Sequence, residues 1–145
     1  MRLALAFLVL SSLACGGGPS EPAAVAAPDP AGAEAVIHAL YQPYLNGGNG
    51  GRGIRTAGVA TPALTALIEK AELDYDPVVN GQDFSIKDLK LTTQSSGATA
   101  TVVAAFQNFD QPTRVTYTLT SSEGGWHVDD VRFEDGRSLR KELGG

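Results

Sequence analysis

Apolar residues recur at helical spacing between residues 30 and 71, and they alternate with polar residues between residues 84 and 133. The first helical stripe consists of Val36, Ile37, Leu40, Tyr41 and Tyr44. Asp29 and Pro30 are residue types preferred at the N-cap and at the first helical position. Because Pro43 cannot continue the helical hydrogen-bond ladder, the first helix is predicted to bend or end there.

A second helix is predicted to begin with Thr61 as its cap and Pro62 at its first position. Its buried stripe consists of Leu64, Leu67, Ile68 and Ala71. The helix is predicted to end near residues 74–77, where two aspartates precede a proline. The glycine-rich run 46–53 between the two helices predicts a loop.

Four strands are predicted after the helices. Residues 84–91 change their phase of alternation near Lys87 and Asp88, which indicates a bulge. Residues 98–109 and 114–120 predict the next two strands, and the pair Gly124-Gly125 predicts the turn into the last one. In that last strand the phase changes again at Asp129 and Asp130, which predicts a second bulge.

Two helices followed by a four-stranded antiparallel meander predict an α+β fold in which N-terminal helices pack on a curved sheet. Bulges bend the strands that carry them, so the sheet is expected to wrap around a helix. Such an arrangement makes a cone with one open mouth. Residues 138–143 are expected to add a short helical turn at the end.

Six short blocks, in order along the chain, resemble the motifs of the domain-of-unknown-function family 3828. They are Tyr41-Gln-Pro-Tyr44-Leu, Thr61-Pro-Ala-Leu-Thr-Ala-Leu-Ile68, Asp74-Tyr-Asp-Pro77, Asn80-Gly-Gln-Asp83, Gly125-Trp-His-Val-Asp-Asp-Val131 and Ser138-Leu-Arg140. The resemblance implies a cone fold similar to the nuclear transport factor 2-like and cystatin-like folds. It also implies an exported protein or lipoprotein, and it implies no particular biochemical activity.

The first 14 residues have the pattern of a bacterial signal peptide, because Arg2 is followed by an apolar segment too short to span a membrane. Small and apolar residues then precede Cys15, the single cysteine of the chain, in a sequence that resembles a lipobox. The resemblance implies cleavage after Ala14 and acylation of Cys15, and two or more acyl chains anchor a protein stably. An ordinary secretory signal cleaved near Ala14 is the alternative.

Residues 15–28 are rich in glycine, proline and alanine, so they are predicted to form a flexible tether ahead of one domain over residues 29–145. Removal of residues 1–14 leaves ten basic and 16 acidic residues, a formal charge of −6. A net acidic chain without a basic cluster is not expected to bind nucleic acid. The predicted contact with the membrane is therefore the lipid at Cys15 rather than a basic surface.

Oxygen-bearing side chains are concentrated in the loop before the first strand, at Asp74, Asp76, Asn80, Gln82 and Asp83. Calcium prefers oxygen ligands, but the spacing lacks the glycine and the final glutamate of the helix–loop–helix calcium motif. The favoured interpretation is a structural turn in which aspartate and asparagine side chains bond the loop backbone. No metal and no cofactor are predicted for this loop.

A second candidate site surrounds Asp129 and Asp130 in the last predicted strand, next to Trp126. A carboxylate that points into the cone is available as a general acid or base, with a tyrosine as its partner. The favoured alternative is that one of these aspartates pairs with an arginine, for which the candidates are Arg132, Arg137 and Arg140. Trp126 is predicted to be buried against the first helix, near Tyr41 or Tyr44.

The chain has no nucleophile elbow and no zinc-ligand spacing, so the predicted function is non-catalytic binding of an envelope protein or a small ligand. One alternative is a small enzyme that uses Asp129 or Asp130, and another is an immunity-type inhibitor in the periplasm. Gly16, rather than an aspartate, follows Cys15. The resemblance to lipoproteins therefore implies the inner leaflet of the outer membrane, facing the periplasm.

Overall fold

The first helix begins and ends where the sequence predicts in a computed structural model, which describes residues 28–45, 53–122 and 124–145. Helix α1 spans Pro30–Tyr41, and Asp29 caps it by accepting a hydrogen bond from the Ala31 N–H at 3.0 Å. A single 3₁₀ turn, Gln42–Tyr44, follows at the proline. The predicted stripe is buried apart from the half-buried Val36, so α1 presents one apolar face to the core.

Two helices follow the first one, and the second of them ends earlier than the sequence predicts. Helix α2 spans Gly53–Thr56, and helix α3 spans Pro62–Lys70 with Thr61 as its cap. The predicted end near residue 74 is wrong, because Ala71 adopts an extended conformation. The Arg55 guanidinium on α2 donates to the carbonyls of Ile68 and Ala71, at 3.0 and 2.8 Å, and so satisfies the end of α3.

Four antiparallel strands form one open sheet in the order β1-β2-β3-β4, with β1 Ile86–Ser96, β2 Thr99–Asn108, β3 Gln111–Ser122 and β4 Gly125–Phe133. Both predicted bulges are confirmed. The register of β1 shifts between Lys87 and Lys90, where Asp88 has a φ of 55°. In β4, Val128 and Asp130 face consecutive residues of β3, so Asp129 is the extra residue.

The helices pack on the sheet, so the predicted α+β fold is confirmed. Helix α1 contacts β1, β2 and β4, and a final short helix, α4 (Leu139–Glu142), contacts β4. The outer edge of β4 is covered in two places: the Val128 N–H donates to the Val59 carbonyl at 2.7 Å, and the Phe133 N–H donates to the Arg137 carbonyl at 3.0 Å. Among the described residues, no helix has the length and apolar character needed to cross a membrane.

Candidate binding cleft

Three tyrosines close the space between α1 and the sheet. Tyr41, Tyr44 and Tyr117 are each at most 1% exposed. The Tyr41 hydroxyl donates to the Val78 carbonyl at 2.8 Å and lies 2.9 Å from the Tyr117 hydroxyl. Because a phenol has one proton to donate, Tyr117 is the donor to Tyr41. The side chains of these three tyrosines therefore occupy the space between α1 and the sheet, where a ligand-sized cavity would otherwise lie.

These phenols are neutral in the folded protein over a wide range of pH. Burial raises the pKa of Tyr41 and Tyr117 well above the usual value for tyrosine. For Tyr44, burial raises the pKa first, and the hydrogen bond to Asp76 raises it further. An unfolded chain ionises its tyrosines at about pH 10. The contribution of these groups to the stability of the folded state is therefore complete below that pH and is lost as the pH rises above it.

Asp76 holds the loop before β1 against the 3₁₀ turn that follows the first helix. One carboxylate oxygen accepts the hydroxyl proton of Tyr44, and the other accepts the Val78 N–H at 2.9 Å. The Asp76 N–H also donates to the Gly81 carbonyl at 2.8 Å. The bond to the backbone two residues ahead is the Asx turn that the sequence predicts. The contact with Tyr44 was outside that prediction, because 32 residues separate the two side chains.

Asn80 lies on the far side of the same loop and bonds a cation instead of lining an open site. It has a φ of 51°, a left-handed conformation that asparagine adopts more readily than most residues. Its side-chain oxygen accepts a hydrogen bond from the Arg137 guanidinium at 2.7 Å. Arg137 also bonds Asp135 and Glu142 and stacks 4.7 Å from the centre of the Phe133 ring. Asn80 is therefore part of a clamp between this loop and the C-terminal segment.

A cleft of about 460 Å³ opens between α2, the end of α3 and residues 73–82. Its apolar lining comes from Ile54, Ile68, Leu73 and Pro77, of which Leu73 is half-buried and the others are buried. This volume lies within the range of small-molecule sites, which combine apolar walls with a few polar groups. The cleft lies directly beside Asp76, so the loop that the sequence singles out forms one of its walls.

The polar lining of the cleft is more negative than positive. Asp74 and Asp76 contribute carboxylates, Gln82 contributes an amide, and Arg55 contributes the one guanidinium. That guanidinium already donates to two carbonyls at the end of α3. Each carboxylate oxygen of Asp76 keeps a second lone pair beyond the bond it accepts. A ligand with a cationic or hydrogen-bond-donating group and an apolar body therefore complements this lining.

The second candidate group, Asp129 and Asp130, lies on β4, and both aspartates are paired with arginines. Asp129 binds the Arg140 guanidinium at 2.6 Å and accepts the Thr61 hydroxyl proton at 3.1 Å. Asp130 is 7% exposed and pairs with Arg132 at 3.3 Å. The predicted pairing with an arginine is therefore confirmed, and Arg140 and Arg132 are the partners.

Trp126 lies against the first helix, as predicted, but at the opposite end from Tyr41 and Tyr44. Its indole N–H donates to the Asp29 carbonyl at 2.8 Å, and its ring lies against Gly32. The predicted proximity to Tyr41 or Tyr44 is wrong. Nine helical residues separate Gly32 from Tyr41, a rise of about 14 Å. The direction in which α1 crosses the sheet decides this, and strand periodicity carries no information about that direction.

The remaining predicted site residues are scattered. Asp83 is exposed and lies outside the cleft lining, whereas Gln82 is exposed and belongs to it. Cys15 lies outside the described residues. Arg55 was missed, and the signal for it was weak: one basic residue beside a glycine-rich run. Within residues 28–45, 53–122 and 124–145, no three histidine, cysteine, aspartate or glutamate side chains are grouped to hold a metal ion.

Comparison of the chain with protein-family models, curated proteins and solved structures finds no match. The resemblance to the domain-of-unknown-function family 3828 therefore stays a prediction.

Proposed function

We propose that this protein is a lipid-anchored protein of the bacterial cell envelope that binds a small ligand without chemical turnover. The cleft beside Asp76 is the proposed binding site, and its ligand carries a cationic or hydrogen-bond-donating group next to an apolar body. The anchor is the acylated Cys15, with residues 15–28 as the tether. The proposed location is the inner leaflet of the outer membrane, facing the periplasm.

The observation that carries the proposal is the contrast between a filled interior and an open cleft. Tyr41, Tyr44 and Tyr117 occupy the interior, and Asp129 and Asp130 are engaged with arginines. A carboxylate that acts as a general acid or base must reach its substrate, and these two carboxylates are committed to ion pairs. The cleft, in contrast, offers polar groups together with apolar surface, the combination typical of ligand sites.

Loss of the anchor is the first expected result. Cys15→Ala removes the thiol that acylation requires, so we expect the variant to incorporate no labelled palmitate. Cys15→Ser is the control for side-chain size, and it also lacks the thiol. Palmitate retained by either variant contradicts acylation at Cys15, and a parent chain that incorporates no palmitate favours an ordinary secretory signal.

Ligand binding is tested with phenethylamine, which joins an ammonium group to an apolar ring, and with 3-phenylpropionate as its anionic counterpart. We expect phenethylamine to shift the amide resonances of residues 73–76 and the carboxylate compound to leave them nearly unchanged. The reason is the charge of the lining, where Asp74 and Asp76 outnumber Arg55. Asp74→Asn is expected to weaken amine binding by about 1.5-fold to fivefold, the usual range for one exposed charge.

Asp83→Asn is the matched control, because Asp83 is an exposed aspartate of the same loop that does not line the cleft. It is expected to leave the affinity for phenethylamine unchanged. Equal weakening by both variants indicates a general charge effect and contradicts the proposed site. Shifts at residues remote from the cleft, or equal binding of the two compounds, contradict it as well.

A further inference from the structure

The two edges of the sheet differ in how far their outward backbone groups are paired. The outer edge of β4 is covered by Val59 and Thr61 at one end and by Arg137 at the other. Strand β1 forms the opposite edge, and no described residue pairs its backbone along Lys90–Ser96 on the outer side. Residues 91–96 carry no charge, so this stretch lacks the charged side chains that commonly protect sheet edges. Within the part of the chain that the structure describes, this stretch can accept an additional strand.

The register identifies which backbone groups of β1 face outward. The Ser121 N–H donates to the Ala98 carbonyl at 2.8 Å, so the even-numbered residues of β2 bond β3 and the odd-numbered residues bond β1. Thr101, an odd-numbered residue, lies opposite Gln94. The even-numbered residues of β1 are therefore used within the sheet. The residues with outward N–H and C=O groups are Leu91, Thr93 and Ser95.

A groove runs beside these groups, between the edge of β1 and the outer flank of α1. Its volume is about 490 Å³, and its lining includes Ala31, Ala35, His38, Glu34 and Thr93. The Thr93 hydroxyl donates to the Glu34 carboxylate at 2.7 Å, so the side chains of the outward-facing residues are on the α1 side of the sheet. A strand added at this edge turns every second side chain into the groove.

We infer that the β1 edge and this groove form a docking site for an extended peptide segment of a partner protein. The segment adds a strand to β1 through the outward groups of Leu91, Thr93 and Ser95. Its alternate side chains are aliphatic, because Ala31 and Ala35 offer small apolar surface. One basic residue between them on the same face complements the exposed Glu34 carboxylate. This site is independent of the cleft beside Asp76.

A second copy of the chain fits this edge less well than such a segment. Antiparallel pairing of two β1 strands about Thr93 brings the two Glu34 carboxylates towards each other, since each bonds its own Thr93. The chain also has a formal net charge of −5, so two copies repel each other. A basic segment is attracted both by the Glu34 carboxylate and by the net negative charge of the chain.

The probe is the blocked peptide acetyl-Thr-Val-Thr-Lys-Thr-Val-Thr-amide, which has valine, lysine and valine on one face. With the ¹⁵N-labelled full chain, we expect it to shift the amide resonances of Leu91, Thr93 and Ser95 and to slow their hydrogen exchange. The same peptide with N-methylated valines and lysine lacks the donors for strand pairing and is expected to leave them unchanged. Glutamate in place of lysine is expected to weaken binding by at least about tenfold.

Ala35→Lys places a cation in the groove, where it repels the lysine of the peptide, and Ala63→Lys places one on the exposed side of α3 as the matched control. We expect the first variant to block the groove and to abolish the peptide-induced amide shifts along β1. We expect the second variant to retain those shifts. Binding that survives Ala35→Lys, or that tolerates N-methylation, overturns the inference. Concentration-dependent dimerisation that protects the same amides without peptide overturns it in favour of a second copy as the occupant.

Discussion

Trp126→Ala is expected to lower the free energy of unfolding by about 3–5 kcal/mol, the range for emptying a large buried aromatic site. The side chain is 8% exposed, and its ring contacts Gly32 at the beginning of α1. The indole N–H also donates to the Asp29 carbonyl at 2.8 Å. The substitution therefore removes the contact between the start of β4 and the start of α1. Urea unfolding followed by far-ultraviolet circular dichroism measures the effect, since no other tryptophan is present for fluorescence.

Trp126→Phe separates the two parts of this effect. Phenylalanine keeps an aromatic ring against Gly32 but has no N–H for the Asp29 carbonyl, so a smaller loss of about 1–2 kcal/mol is expected. If alanine costs no more than phenylalanine, the ring contributes little, and the proposed contact between β4 and α1 does not stabilise the fold.

Asp130→Ala is expected to cost about 3–5 kcal/mol, because it leaves several hydrogen-bond donors without their acceptor. The carboxylate accepts the backbone N–H of Val131 at 2.9 Å and that of Arg140 at 3.0 Å. It also accepts the Ser138 hydroxyl proton at 2.9 Å and pairs with Arg132 at 3.3 Å. Together these bonds fasten the start of α4 to β4. Thermal and urea unfolding of the variant, compared with the parent chain, measure the loss.

Two variants test whether the burial of the Asp130 carboxylate is the reason for the large expected loss of stability. Asp130→Asn keeps one carbonyl oxygen as an acceptor, so a smaller cost of about 1–3 kcal/mol is expected. Asp129→Ala removes the neighbouring carboxylate, whose side chain is 32% exposed and pairs with Arg140. Solvent screens that pair, and we expect a loss of only about 1 kcal/mol. Equal losses for Asp129→Ala and Asp130→Ala contradict the structural role given to Asp130.

The candidate cleft separates a feature that the sequence predicts, the turn at Asp76, from one that it does not predict, the cleft itself. The residue types of the loop at residues 74–83 favour either metal binding or turns. The turn interpretation follows from the local chemistry of Asp76, whose side chain bonds the backbone two residues ahead. The cleft itself needs Arg55 and Ile54 from α2, and their approach to Asp76 depends on how distant segments pack.

Trp126 and Asp129 show, for the sheet, the same division between what residue spacing predicts and what packing decides. Alternation of apolar residues identified a bulge at Asp129, because a one-residue change of phase has few other causes in a strand. Alternation also indicated that Trp126 is buried, but its position along α1 was predicted wrongly. Period-two patterning specifies a face of the sheet, and it says nothing about which turn of a helix lies on that face.

By itself, the sequence determined α1, the start of α3, the succession of four strands, both bulges and the α+β class, because each depends on residue spacing and on caps such as Asp29 and Thr61. The tertiary structure alone decided the early end of α3, the pairing of Tyr44 with Asp76, the choice of Arg140 for Asp129 and the open edge of β1. These features join residues far apart in the chain, and they depend on packing geometry that no local pattern encodes.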